Sequence, residues 1–134
     1  MIDLTKESEQ ILTGNDNIVI RKYIDGIEGG RALNVEEYVT ATGTSVVKAG
    51  HVIITKEGEY KPMPVSEGAY STLPEGWKYA GILVATINAK KDGAAILTNG
   101  TVNKNDKVMP YSITAILTAL KVALPLISFM EDGE

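Results

Sequence analysis

A single histidine occurs in this chain of 134 residues, His51, within the stretch "AGHVIITKEGEYKPMPV". A histidine acting as general base needs one group to fix its tautomer and a nucleophile within reach. His51 opens a β-branched run directly after Gly50, with no acid or serine at a telling spacing, which fits a structural or surface part better than a catalytic one. A metal site needs several ligands at set spacings; one histidine among scattered acids, with no cysteine at all, supplies none. Asp106, Glu36-Glu37 and Glu57/Glu59 read as solvated charges of turns and edges. The "GGR" at 29–31 is not followed by the lysine and hydroxyl that a phosphate loop requires, and no strand–glycine–helix unit is present to seat a dinucleotide. The expected sets of catalytic, metal-binding and cofactor-binding residues are therefore all empty.

Two further stretches invite chemistry. Lys107, in "NDKVM", sits in the Asp-Lys-Val tripeptide in which small lipoyl-bearing β domains carry their modified lysine. Those domains hold the lysine at a hairpin apex, whereas here Pro110 and a helix start follow at once. "NGT" at 99–101 has the form of a glycosylation acceptor, but Asn-Gly is also a two-residue hairpin signal and no secretion signal precedes it. A third stretch, "PVSEGAYSTLPEGWKY", is a proline-punctuated loop carrying Tyr70, Trp77 and Tyr79. These aromatics could form a binding surface, or Trp77 could close one end of the core.

Charge narrows the partners. With 13 basic and 17 acidic residues the formal net charge is −4, and the basic pairs Arg21-Lys22 and Lys90-Lys91 are too short to track phosphates, so nucleic acid is an unsuitable partner. The N-terminus lacks the basic flank and apolar run of a signal peptide. The apolar stretch from Ile113 to Met130 is interrupted by Thr114, Thr118, Lys121, Pro125 and Ser128, so no membrane partner is expected.

The elements that would position these residues are mostly strands. Residues 1–16 read as a flexible N-terminal arm, 17–130 as one β-rich domain and 131–134 as an acidic tail. Strands are expected at 17–24, closed by Asp25-Gly26, and in "RALNV" after a Gly29-Gly30 bend. A hairpin follows from His51 to Met63, with its tip at 56–59 and prolines 62 and 64 ending the pairing. Residues 80–86 ("AGILVAT") are apolar on both faces and therefore buried. "AAILT" and "TVN" flank the expected Asn99-Gly100 turn. The period then changes: Ile113, Ile116, Leu117, Leu120 and Leu124 make a helical stripe, with Ser112 as cap and Pro125 as stop. Ala115, Ala119, Val122 and Ala123 lie on its other faces, too apolar for solvent alone, and are the candidate subunit interface. "LISFM" closes the chain as a strand. The fold class is mainly β, a small barrel or sandwich with one C-terminal helix packed on it.

The order of these segments, from about Ala49 to Met130, resembles the head-decoration and head-fibre proteins of tailed bacteriophages. Gly50, Gly58, Tyr60 and Pro62 match the first motif of that family. Ala80 to Leu83, including Gly81, match its "A-x-G-I-L"-type strand, Gly100 to Val102 a later strand, and Ile113–Leu124 with Ile127–Phe129 the closing helix and strand. Residues 1–48 differ from the short arm of the lambda-type members. The resemblance implies a non-catalytic, oligomeric, commonly trimeric protein without a cofactor that binds a major capsid protein and stabilises the outer shell. It would be assembled in the host cytoplasm and found on the virion surface. The residues alone leave a different class open: a small carrier or ligand-binding β domain using Lys107 or the Tyr70–Tyr79 loop.

Overall fold

The computed structural model describes residues 19–105 and 108–130. Ten strands and two short helices make up this part: β1 (Ile20–Arg31), α1 (Glu36–Thr42), β2 (Val46–Val47), β3 (Val52–Lys56), β4 (Glu59–Pro62), β5 (Val65–Ser66), β6 (Ala69–Tyr70), β7 (Lys78–Leu83), β8 (Ile87–Asn88), β9 (Ala94–Asn103), α2 (Leu117–Ala123, led in by a 3₁₀ turn at Thr114–Ile116) and β10 (Ile127–Met130). The chain is mainly β with a short C-terminal helix, as its patterning predicts, and its sheets do not close into a barrel.

The main sheet runs β1-β9-β7-β3-β4, with β10 also paired to β9. Its central strands carry apolar residues on both faces because both faces are covered. Along β3, Val52 and Ile54 enter one core cluster and Ile53 the other; Ile82 and Leu83 of β7, and Leu97 and Ile96 of β9, divide in the same way. The first cluster is roofed by Ile113, Leu120 and Leu124 around α2 and by Phe129 of β10. The second is closed by Tyr38 of α1, Leu33, Val47, Val65 and Ile87.

β9 organises the sheet. β1 pairs antiparallel along it from Ala94 to Val102. Ile96 and Leu97 pair with Leu83 and Ile82 of β7, and Gly100 to Asn103 pair parallel with β10. A ten-residue strand thus serves several neighbours in turn.

Three expectations are corrected. Asn99-Gly100 is no turn; it lies inside β9. A Cβ on Gly100 would collide with the Lys22 carbonyl and approach Leu97 Cδ1 at 3.1 Å, so the glycine is there because β1 crosses close against it. Asp25-Gly26 and Gly29-Gly30 do not end a strand either: β1 continues to Arg31 and absorbs the irregularity as register shifts. Of "RALNV", Arg31 ends β1 and Leu33 makes an isolated bridge to Tyr60, before the chain turns into α1, a second helix that patterning did not predict.

The hairpin tip is confirmed and tightened. Glu57 (φ 49°) and Gly58 (φ 84°) are both left-handed, the signature of a two-residue type I′ turn between β3 and β4. The stretch from Pro64 to Tyr79, expected as one long loop, contains a second small hairpin. There Glu67 (φ 52°) and Gly68 (φ 78°) repeat the same turn between β5 and β6.

Candidate functional site

His51 lies immediately before β3, fixed through its backbone: its carbonyl accepts from Leu83 N at 3.0 Å. Its side chain is fully buried. Nε2 lies 3.0 Å from the Met63 carbonyl oxygen, which can only accept, so Nε2 carries the proton. Nδ1 is then an acceptor, and it has no hydrogen-bond partner. Three tyrosine rings stand edge-on to the imidazole: Tyr38 at 5.5 Å, Tyr70 at 5.2 Å and Tyr111 at 5.5 Å between centroids. Burial, opposed by the Met63 bond, pulls the imidazole down from 6.5 to about 4. Burial first, then Tyr111, pushes the Tyr38 hydroxyl up to about 12, and burial raises Tyr70 further. At neutral pH the imidazole, Tyr38 and Tyr70 are therefore uncharged. The imidazole's one ring proton is committed to a carbonyl and its face is sealed from solvent, which suits packing and not proton exchange with a substrate.

The tyrosines are themselves anchored. Tyr38 donates to the Val46 carbonyl at 3.1 Å, tying α1 to β2. Tyr70 accepts from Val52 N at 3.0 Å and packs on both core clusters. Tyr79, whose hydroxyl is also raised by burial, and Trp77 pack on the first cluster. Lys61 Nζ stands 4.4 Å over the Trp77 ring and donates to Glu37 Oε1 at 2.7 Å. That stack bolts α1 to β4 and to the segment before β7. The aromatics of the candidate binding loop thus pack against the core while each stays half-buried.

Of the first family-type motif, Gly50 and Pro62 are buried and Gly58 forms the turn. Tyr60, half-buried, carries the Arg31 guanidinium 5.7 Å above its ring. Gly81 is buried in β7. Lys107 and Asp106 lie outside the described residues, as do the 1–16 arm and the 131–134 tail. Among the described residues no three His, Asp or Glu side chains come together to hold a metal, and no helix is long and apolar enough to cross a membrane. Two open grooves, of about 530 and 480 Å³, flank α1; the first is lined by Glu36, Glu37, Pro64 and Ser71 among others, the second by Leu33, Val39 and Lys90 among others.

The remaining feature is the outer face of α2. The predicted inward stripe holds: Ile113, Leu120 and Leu124 are buried, Ile116 and Leu117 half-buried. The other stripe, Ala115, Ala119, Val122 and Ala123, is exposed, Val122 at 78%. Leu126 extends it at 64% exposure, a residue the periodicity missed because it follows Pro125. Its spacing of four from Val122 was the available signal. No acidic residue interrupts positions 115–126, and Lys121 is the one charge.

No family model, no curated protein and no solved structure matches this chain.

Proposed function

We propose that this chain is a non-catalytic structural protein of a tailed phage or prophage, a head-decoration or head-fibre protein that binds and reinforces the outer capsid as an oligomer, with three copies favoured. The observation that carries the assembly half is the exposed Ala115–Ala119–Val122–Ala123–Leu126 stripe, which holds Val122 and Leu126, more exposed than Tyr23 and Ile24 of β1. Small residues let two helices approach closely, and a stripe without acids meets its own copy without repulsion. The capsid half rests on the resemblance in segment order between residues 49 and 130.

Light scattering on the purified full chain tests the first half. The wild type is expected as an oligomer, and Ala119→Glu as a monomer with unchanged circular dichroism, since burying an unpaired carboxylate costs at least about 2 kcal/mol per contact. A monomeric wild type, or an oligomer untouched by Ala119→Glu, removes this assignment. Co-sedimentation with head shells of the phage or prophage that encodes the chain tests the second half. A carrier would instead be monomeric and show a mass increment on Lys107.

A further inference from the structure

The two core layers meet at one buried polar point. His51 bonds to the Met63 carbonyl, and Met63 belongs to the first cluster. Its ring is held by Tyr38 of the second cluster, by Tyr111 packed on that cluster, and by Tyr70, which touches both. These groups arrive from four separate places: α1, the β5–β6 hairpin, the link between β4 and β5, and the segment before the 3₁₀ turn. Among the described residues, the groups set against the imidazole are three phenol rings and one carbonyl. No carboxylate among the described residues bonds to it. The acids of α1, Glu36 and Glu37, are exposed, and Glu37 is joined to Lys61; Glu67 of the hairpin tip is exposed as well.

We propose that the His51 cage is a proton-operated latch: uptake of one proton at Nδ1 frees α1 and the β5–β6 hairpin from the sheet while β1, β9 and β7 stay paired. The unpartnered Nδ1 is the point of attack. An imidazolium there would be a buried charge without a counter-ion, and a buried charge is tolerated only when paired. Tyr38 and Tyr70 cannot ionise to meet it, because burial holds both above their ordinary range. The cheapest relief is to expose the ring, and the pieces lying over it are the smallest ones: a seven-residue helix and a hairpin of two-residue strands.

The direction follows from the depressed imidazole. The chain gains stability from a neutral His51 in full above pH 6.5 and loses it as pH falls toward about 4. The opening equilibrium should rise about a hundredfold across that window. The latch does not depend on the capsid reading, since it is argued from His51 and the groups against its ring.

Hydrogen–deuterium exchange on the full chain, corrected for intrinsic rates, compares pH of about 7 with about 4.5. Protection is expected to fall in 36–47 and 63–71 and to persist in 94–103. His51→Gln, which keeps a donor for Met63 but cannot titrate, is expected to abolish that selective loss. The wild type supplies a second readout: its single histidine gives one unambiguous NMR titration, expected well below 6.5. An imidazole that titrates normally, a His51→Gln chain that still opens at acid pH, or simultaneous loss of protection in β9 would each overturn the latch.

Discussion

At the scale of single residues, the polar groups of this fold are few and committed. The Val52 amide has the Tyr70 hydroxyl as its acceptor. Tyr70→Phe keeps the ring and removes that acceptor, so it is expected to cost about 1–3 kcal/mol, read as a lower urea midpoint with an unchanged slope. Trp77 is a different case, since it contributes area on the core and a face for Lys61. Trp77 is half-buried, so Trp77→Ala should cost about 1–3 kcal/mol, less than for a fully enclosed ring. A loss under 1 kcal/mol accompanied by loss of some bound ligand would restore Trp77 as a recognition residue. None of this was encoded in spacing. Tyr38, Tyr70 and Tyr111 are far apart in the chain, and only folding gathers them around His51. The sequence could say that His51 lacked a catalytic neighbour; it could not say that the histidine was a core residue, because imidazole is compatible with either setting.

At the scale of elements, legibility tracked the number of buried faces. The runs at 52–54, 82–83 and 94–97 read as strands because packing on both sides demands uninterrupted apolar residues. The inward stripe of the C-terminal helix read correctly because its buried residues recur at helical spacing, but Ser112 is not its cap: the α-helix starts only at Leu117, after a 3₁₀ turn, with no side-chain cap. α1 did not read at all: "EEYVTAT" buries only Tyr38, is rich in β-branched residues, and starts at Val35 without a side-chain cap. Tertiary ties hold it, chiefly the Tyr38–Val46 bond and the Glu37–Lys61 pair. The β5–β6 hairpin repeats a Glu-Gly turn already recognised at 57–58, but its strands are too short to show alternation. Two glycines separate local conformation from close approach. Gly58→Ala meets no atom within 4 Å and strains only the backbone, costing about 1 kcal/mol. Gly100→Ala drives a methyl group into the Lys22 carbonyl and should cost more, about 2–4 kcal/mol, with exchange protection lost first along β1. Equal costs in thermal or urea unfolding would refute the close-approach account.

At the scale of the whole molecule, most large apolar side chains are enclosed, and the α2 stripe is where patterning and exposure coincide. If that stripe is the subunit contact, association depends on apolar area and hardly on charge. The dissociation constant of the oligomer should then change less than about threefold between low and moderate salt, whereas Val122→Asp should weaken it by about thirtyfold or more. Sedimentation equilibrium measures both, and a strongly salt-dependent oligomer would move the contact to another surface. The expectation of a helix apolar on several sides was sound at the level of composition. Which side faces the core followed from periodicity, whereas the extension through Leu126 needed the backbone geometry past Pro125.

The sharing of β9 between β7 and β10 has a consequence for how the chain is made. β10 supplies Ile127 and Phe129 to the first core layer, and it does so by pairing with a strand that leaves the ribosome well before it. During synthesis, therefore, the second layer can close while the first remains open along Gly100–Asn103. That gap exposes Leu97 and Val102 to chaperones, or to misplaced strands of neighbouring chains, until β10 arrives to fill it.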